Sequence, residues 1–371
     1  MSDVHRPTDP GAADGASAVD AFAERVFGAA LGALETMSVH LGDRLGWYRI
    51  LAERGALSSG ELADAAGTGE RYTREWLEQQ AVLGILAVDD AAAEASARRY
   101  ELPAAHAEVL TDAGSLAYSA PLARMIAGSA IQLPAILDAA RSGGGVPWER
   151  FGADARDAQG DINRPWFEHR LAEALAGVPE LDEVLRRPSA RIVDVGCGHG
   201  WSTIALARAY PDAALVGVDV DEPSIEAARA HAADAGLSDR VTFVLGGGET
   251  LADEDGFDAG FVFEAVHDMP APVEVLAALR RAVRDDGAVV IMDEAVAERF
   301  TPDGDEVERI MYGYSLFVCL PDSLSTPGSV ATGTVMRPAV LEGYARQAGF
   351  AAAEILPIEG FAAFRFTRLL P

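Results

Sequence analysis

The sequence predicts an α/β fold in which a small helical domain precedes a doubly wound, largely parallel sheet. Three observations carry that reading. From Arg191 onward, short apolar runs alternate with helical segments, the pattern of a sheet whose strands are joined by crossover helices. The first of those runs, Ile192–Val195, leads directly into Gly196-Cys197-Gly198-His199-Gly200, a glycine-rich turn between a strand and a helix. Before Ala104 the chain offers only short helices and one ribbon, so its 371 residues divide into at least two domains.

Taken in order, residues 1–16 are polar, lack the apolar core of a signal peptide and are expected as a disordered tail. Over residues 17–104, Ala21, Val26, Leu31, Leu34 and Leu41 mark a first amphipathic helix, and Trp47, Tyr48 and Leu51 a second. Ser58-x-x-Glu61 is a capping box that opens a third. Gly69 turns into a longer helix with Tyr72, Trp76, Leu77 and Val82. Ile85–Val88 and Tyr100–Leu102 flank a polar insert and read as a wing, so this domain has the shape of a winged helix. Residues 105–185 are mostly helical, broken at Gly143–Trp148, and are expected as a connector that roofs the active site. In residues 186–371 the strands are Ile192–Val195, Ala214–Val218, Val241–Leu245, Ala259–Phe263 and Ala288–Met292. An insertion over residues 296–336, a helix at Pro338–Gln347 and two runs, Ala352–Leu356 and Phe361–Thr367, complete the chain.

Ligands of an open α/β sheet bind at the carboxyl ends of its strands, and glycines there let backbone approach them closely. A dinucleotide fingerprint needs its third glycine where this chain has Trp201. The spacing Asp194-x-Gly196-x-Gly198-x-Gly200 instead resembles motif I of the class I S-adenosylmethionine (SAM)-dependent methyltransferases. The resemblance implies SAM as cofactor and a Rossmann-like sheet of seven strands, the last antiparallel. It places Asp194 and the three glycines near the cofactor's methionine part. Asp219, ending the second strand, falls where the family's acid accepts both ribose hydroxyls. Asp221 suits a helix N-cap better. Gly247 stands where the family commonly has an adenine-binding Asp, a departure for which Glu249 is the available substitute. Glu264, after the fourth strand, is counted with the cofactor ligands.

His267-Asp268 follows that strand, as in the small-molecule O-methyltransferases, which also carry an N-terminal winged-helix dimerisation domain. In that family the His is the general base. A neutral hydroxyl is a poor nucleophile, and an imidazole titrating near neutrality can take its proton as the new bond forms. Glu294, at the end of the fifth strand, is placed to orient the imidazole. The bland alternative is a histidine that only packs beside the cofactor. Ile162-Asn163-Arg164-Pro165-Trp166 resembles the segment with which those enzymes cover their active site. The apolar stretch Glu308–Pro321 suits a pocket wall, or equally ordinary core.

Leu41–Gly46, Arg74–Glu78, Gly143–Pro147, Glu308–Gly313 and Ala331–Pro338 together resemble a bacterial group of winged-helix, SAM-dependent methyltransferases. The group's aromatic-rich final strand is altered here, where Phe361-Ala362-Ala363-Phe364-Arg365-Phe366 lacks its Trp. The implied protein is a homodimeric methyltransferase of a small, hydrophobic metabolite. A SAM-binding transcriptional regulator, or a methyltransferase fold that has lost methyl transfer, are the alternatives.

Composition weighs on these readings. The net charge is −28, from 58 acids against 30 bases, all of them arginine. Residues 1–103 hold 9 arginines against 17 acids, and the would-be recognition helix has no basic face, so nucleic acid is not the expected partner. Two cysteines, one inside the glycine turn, argue against disulfides and for a cytoplasmic location; a structural zinc site is not expected either. No apolar run is long enough to span a membrane.

Overall fold

A computed structural model describes residues 10–253 and 256–371, and the chain divides into two compact units, residues 1–112 and 113–371. Residues 1–9 of the expected tail lie outside the described residues, and a helix begins at Pro10. The first unit contains helices Pro10–Arg44, Trp47–Arg54, Ser59–Ala66, Glu70–Val82 and Ala104–Thr111, with strands β1 (Leu57–Ser58), β2 (Ala87–Val88) and β3 (Arg99–Glu101). The strands pair antiparallel in the order β1-β3-β2, the small sheet of a winged helix. Trp47, Tyr48, Leu51, Trp76 and Leu77 are its buried core, with the two indole rings 4.7 Å apart. Gly42 lets the first helix lie against them, because a Cβ there would strike the Trp76 and Tyr48 rings. The capping box forms as the sequence predicts, Ser58 Oγ accepting from Glu61 N and Glu61 from Ser58 N. Arg71 and Arg74 of the would-be recognition helix pair with Glu75 and Glu70.

In the second unit the strands are β4 (Arg191–Val195), β5 (Ala214–Asp219), β6 (Val241–Leu245), β7 (Phe257–Phe263), β8 (Val283–Glu294), β9 (Ala352–Ile355) and β10 (Phe364–Leu370). Their spatial order is β6-β5-β4-β7-β8-β10-β9. The first five are parallel, and β10 is antiparallel to both its neighbours. β4, β7 and β8 are buried on both faces, which is why they read as unbroken apolar runs. Strand order runs outward one way from β4 and the other way from β7, and this switch opens a crevice at their carboxyl ends.

The stretch expected as a connector divides. Ala104–Thr111 belongs to the first unit; the helices Ala120–Ala130, Leu133–Ser142 and Gly152–Ala176 belong to the second. The break at Gly143–Trp148 docks on the inserted segment after β8, where Val146 N donates to Pro321 O at 2.8 Å and Trp148 N to Asp322 Oδ1 at 2.7 Å. Gly145 passes so close to the Pro321–Ser325 backbone that no side chain would fit.

Candidate active site

The glycine turn is shaped by packing as much as by ligand access. Gly196, Gly198 and Gly200 all have positive φ, at 77°, 49° and 77°. A Cβ on Gly200 would lie 2.7 Å from the Phe243 ring and 2.9 Å from Ala228 Cβ, so this glycine sits behind the loop. Gly196 and Gly198 face a cavity of about 660 Å³. Asp194 does not line that cavity, contrary to a direct cofactor contact. It is fully buried under the turn, and its Oδ2 accepts from Ser202 Oγ at 2.6 Å and Thr203 Oγ1 at 2.7 Å. Burial raises its pKa to about 6, against those two hydrogen bonds. The acid thus ties the end of β4 to the first turn of the following helix.

Asp219, Gly247, Glu249 and Glu264 also line the cavity. Asp219 Oδ2 accepts from Gly198 N at 2.8 Å and its Oδ1 from Asp221 N at 2.9 Å. Each oxygen keeps one lone pair for a further donor, as two vicinal hydroxyls require. Asp221 caps the Glu222–Asp234 helix, as its position predicts, and also receives Arg156 Nε at 2.7 Å from the roof helix Gly152–Ala176. At the family's adenine position, the Glu249 carboxylate folds back over Gly247 and accepts its N–H at 3.3 Å. It fills the space that a side chain at 247 would claim. Glycines whose backbone lines the cavity, a carboxylate with two free lone pairs and a cavity of this volume fit SAM.

A second, smaller pocket of about 180 Å³ adjoins the first, and Gln159, Asn163, Glu264, Asp268, Val318 and Cys319 line both. Its walls are apolar and include Met125, Ile162, Trp166, Met311 and Phe364. Both the resembling segment at residues 162–166 and the stretch Glu308–Pro321 therefore contribute lining residues. His267 lies on the floor, 2% exposed. Its Nδ1 meets Asp293 Oδ1 at 2.6 Å, with Glu294 Oε2 farther off at 3.3 Å; Nε2 lies 3.5 Å from Asp268 Oδ1. Asp293 is thus the tighter partner, and Glu294 the looser one. Burial pulls the imidazole pKa down, but Glu294, Asp268 and the bonds to Asp293 and Cys319 overturn this and hold it well above 6.5. Burial pushes Glu264, Asp293 and Glu294 upward.

Among the described residues, two sets of side chains, His267–Asp293–Glu294 and His267–Asp268–Cys319, have the proximity of metal ligands, a grouping that sequence spacing did not reveal. The first set is too tight. Two ligands of one zinc ion at ~2.0–2.1 Å stand about 3.3 Å apart in tetrahedral geometry, whereas the His267–Asp293 contact is a direct hydrogen bond of 2.6 Å.

Glu264 joins the two cavities. Asn163 Nδ2 donates to its Oε2, as does Gln159 Nε2 at 3.4 Å, so the roof helix reaches the end of β7. Glu264 holds φ at +53°, a left-handed conformation that side chains disfavour. His199 sits against Gly160 of the same helix, with burial lowering its pKa.

Comparison with known proteins bears on the fold. Residues 187–316 match the family described as a methyltransferase domain, and residues 32–112 match the Rv2258c-like winged HTH domain. The chain combines a class I SAM-dependent methyltransferase fold with a winged-helix domain. Curated relatives include a 24-methylenesterol C-methyltransferase of Arabidopsis thaliana, 28% identical over 158 residues, 42% of this chain and 44% of that protein. The 27-O-demethylrifamycin SV methyltransferase of Amycolatopsis mediterranei is 31% identical over 153 residues, 38% of this chain and 54% of that protein. The chain thus spans about half the length of these relatives. Among solved structures, mitomycin 7-O-methyltransferase superposes with a TM-score of 0.66 at 20% identity, covering 95% of this chain and 99% of the other. Human N-acetylserotonin methyltransferase, solved with SAM, gives 0.69 at 16%, covering 94% and 97%. These likenesses extend over both units and establish the fold.

Sequence reasoning passed over Asp293, Gln159 and Arg156. Two consecutive acids closing a buried strand were the available signal for Asp293; the other two come from a helix more than sixty residues away from their partners in sequence.

Proposed function

We propose that this protein is a SAM-dependent methyltransferase acting on a small, largely apolar metabolite, with oxygen as the favoured acceptor. The observation that carries the reading is the adjoining of the two pockets at Glu264 and Asp268, with His267 on the floor of the apolar one. The names of the relatives divide between carbon and oxygen acceptors. A buried imidazole beside an acid favours oxygen, because only a hydroxyl needs a proton removed as it attacks.

When bound, SAM supplies a methyl group on a sulfonium. The chain's own residues do the rest. Asp219 and the Gly196–Gly198 backbone hold the cofactor, and the apolar walls exclude water and seat the acceptor. Asp293 accepts a hydrogen bond from His267 Nδ1–H, which fixes the tautomer and leaves Nε2 as the proton acceptor. Raising the imidazole pKa makes His267 the stronger base and moves the rise in kcat/KM to higher pH. Calorimetric titration with S-adenosylhomocysteine tests the cofactor site. Micromolar binding is expected, with at least a tenfold loss in Asp219→Ala, about 1.4 kcal/mol or more. Absence of binding to the parent protein would sink the reading.

The protein is also read as a cytoplasmic homodimer. Val19, Phe22, Val26, Phe27, Leu31 and Leu34 leave an apolar stripe exposed on the long first helix, and a second copy of the same stripe is its natural cover. Sedimentation is expected to give a dimer, and Leu31→Glu with Phe27→Glu a monomer.

A further inference from the structure

The smaller pocket has an unbalanced charge. Glu264, Asp268 and Glu294 line it together with His267, and among the described residues no arginine does; the chain has no lysine. The nearby guanidinium groups are engaged elsewhere: Arg124 with Asp161, Arg164 with Glu168 and the Trp201 ring, Arg337 with Glu308, and Arg365 with Val296 O. The imidazole is already bonded to a fourth acid, Asp293. Glu294 is 2% exposed, and beyond the 3.3 Å approach of His267 Nδ1 neither of its oxygens accepts a hydrogen bond from the described residues; Asp268 Oδ1, 3.5 Å from Nε2, and Tyr314 Oη are also sealed from water without a hydrogen bond.

An ionised carboxylate buried without a donor costs several kcal/mol. Protons can meet part of that cost, and the cofactor's own cation, in the neighbouring cavity, another part. Neither gives Glu294 a donor at the far side of His267. Resting on the methyltransferase reading above, we propose that the acceptor itself brings the missing charge: a compact, apolar molecule bearing a protonated amine, which Glu294 receives while the hydroxyl to be methylated lies on His267. The apolar walls suit the body of such a molecule, and Trp166 offers a ring face to a cation.

The arrangement has a mechanistic corollary. Glu294 is the foremost of the charges that raise the imidazole pKa, beside Nδ1 at 3.3 Å. An ammonium on Glu294 cancels that field, so the group that anchors the acceptor would also release the base.

The test uses the full-length protein loaded with S-adenosylhomocysteine, and matched probes that differ only in charge: tyramine, 4-ethylphenol and 3-(4-hydroxyphenyl)propionate, with their naphthol-based counterparts. Calorimetry at neutral pH is expected to rank amine over neutral compound by about tenfold or more, with no binding of the acid. Glu294→Gln should abolish the preference while leaving S-adenosylhomocysteine binding in place, and Asp268→Asn should weaken it less. Equal binding of amine and neutral probes, or a preference that survives in Glu294→Gln, overturns the proposal. So does stoichiometric zinc that excludes the amines. Loss of S-adenosylhomocysteine binding in the parent protein would instead remove the methyltransferase reading, so the two failures are distinguishable.

Discussion

In the larger cavity Asp219, Asp221 and Asp322 are hydrogen-bonded by the protein itself; on the floor of the smaller one Glu294 is not. Asp219 receives two backbone N–H groups, Asp221 receives Arg156 and Ser224, and Asp322 receives Trp148 N. Among the described residues, Glu294 and one oxygen each of Asp268 and Asp293 accept no hydrogen bond. The first cavity is finished before its ligand arrives, because a cofactor common to many enzymes can be met with fixed backbone geometry. The second leaves its polar floor open, and its occupant must complete it. Unpaired buried groups are costly to the empty protein and discriminate sharply among ligands, since any molecule lacking the right donor leaves them unpaired.

The contrast can be broken most forcefully at His267. His267→Ala is expected to lower kcat by about 10²–10⁴-fold with S-adenosylhomocysteine affinity kept, because the residue lies outside the larger cavity. In the parent enzyme kcat/KM should climb with pH through a value above 6.5, since only the unprotonated imidazole of the free enzyme accepts a proton and its pKa is raised. A flat profile, or a variant that loses cofactor and activity together, would erase the distinction between the cavities. A smaller effect is expected on the finished side. Gly200→Ala must hold alanine at φ 77° and drive its methyl into the Phe243 ring. Chemical denaturation should register a loss of about 1–3 kcal/mol, with kcat nearly unchanged once the protein is saturated with SAM.

Much of the finished cavity was legible in the sequence because local rules build it. Apolar runs bounded by glycine give β4 and β5, and an acid two residues past a strand caps the next helix, as Asp221 does. Asp194 was also visible as an acid before the glycines, but its hydroxyl partners Ser202 and Thr203 turn it away from the ligand. The unfinished pocket was harder to read. His267 and Glu294 come from neighbouring strand ends, while Asn163 and Cys319 arrive from a roof helix and an insertion. Only folding places them together, and no periodicity records a missing donor. The first helix marks a similar limit: its apolar spacing is plain in the sequence, but a stripe left exposed looks there the same as one turned to a core.

Glu264 sits at the seam between the two cavities in a left-handed conformation that costs a non-glycine residue about 1–2 kcal/mol. Glycine would remove that cost, together with the carboxylate held by Asn163 and Gln159. Glu264→Gly is therefore expected to melt no lower than the parent while losing most of its turnover. A position where the more durable protein is the poorer catalyst is one that selection for stability alone would have surrendered, and thermal screening of variants will find it for the same reason.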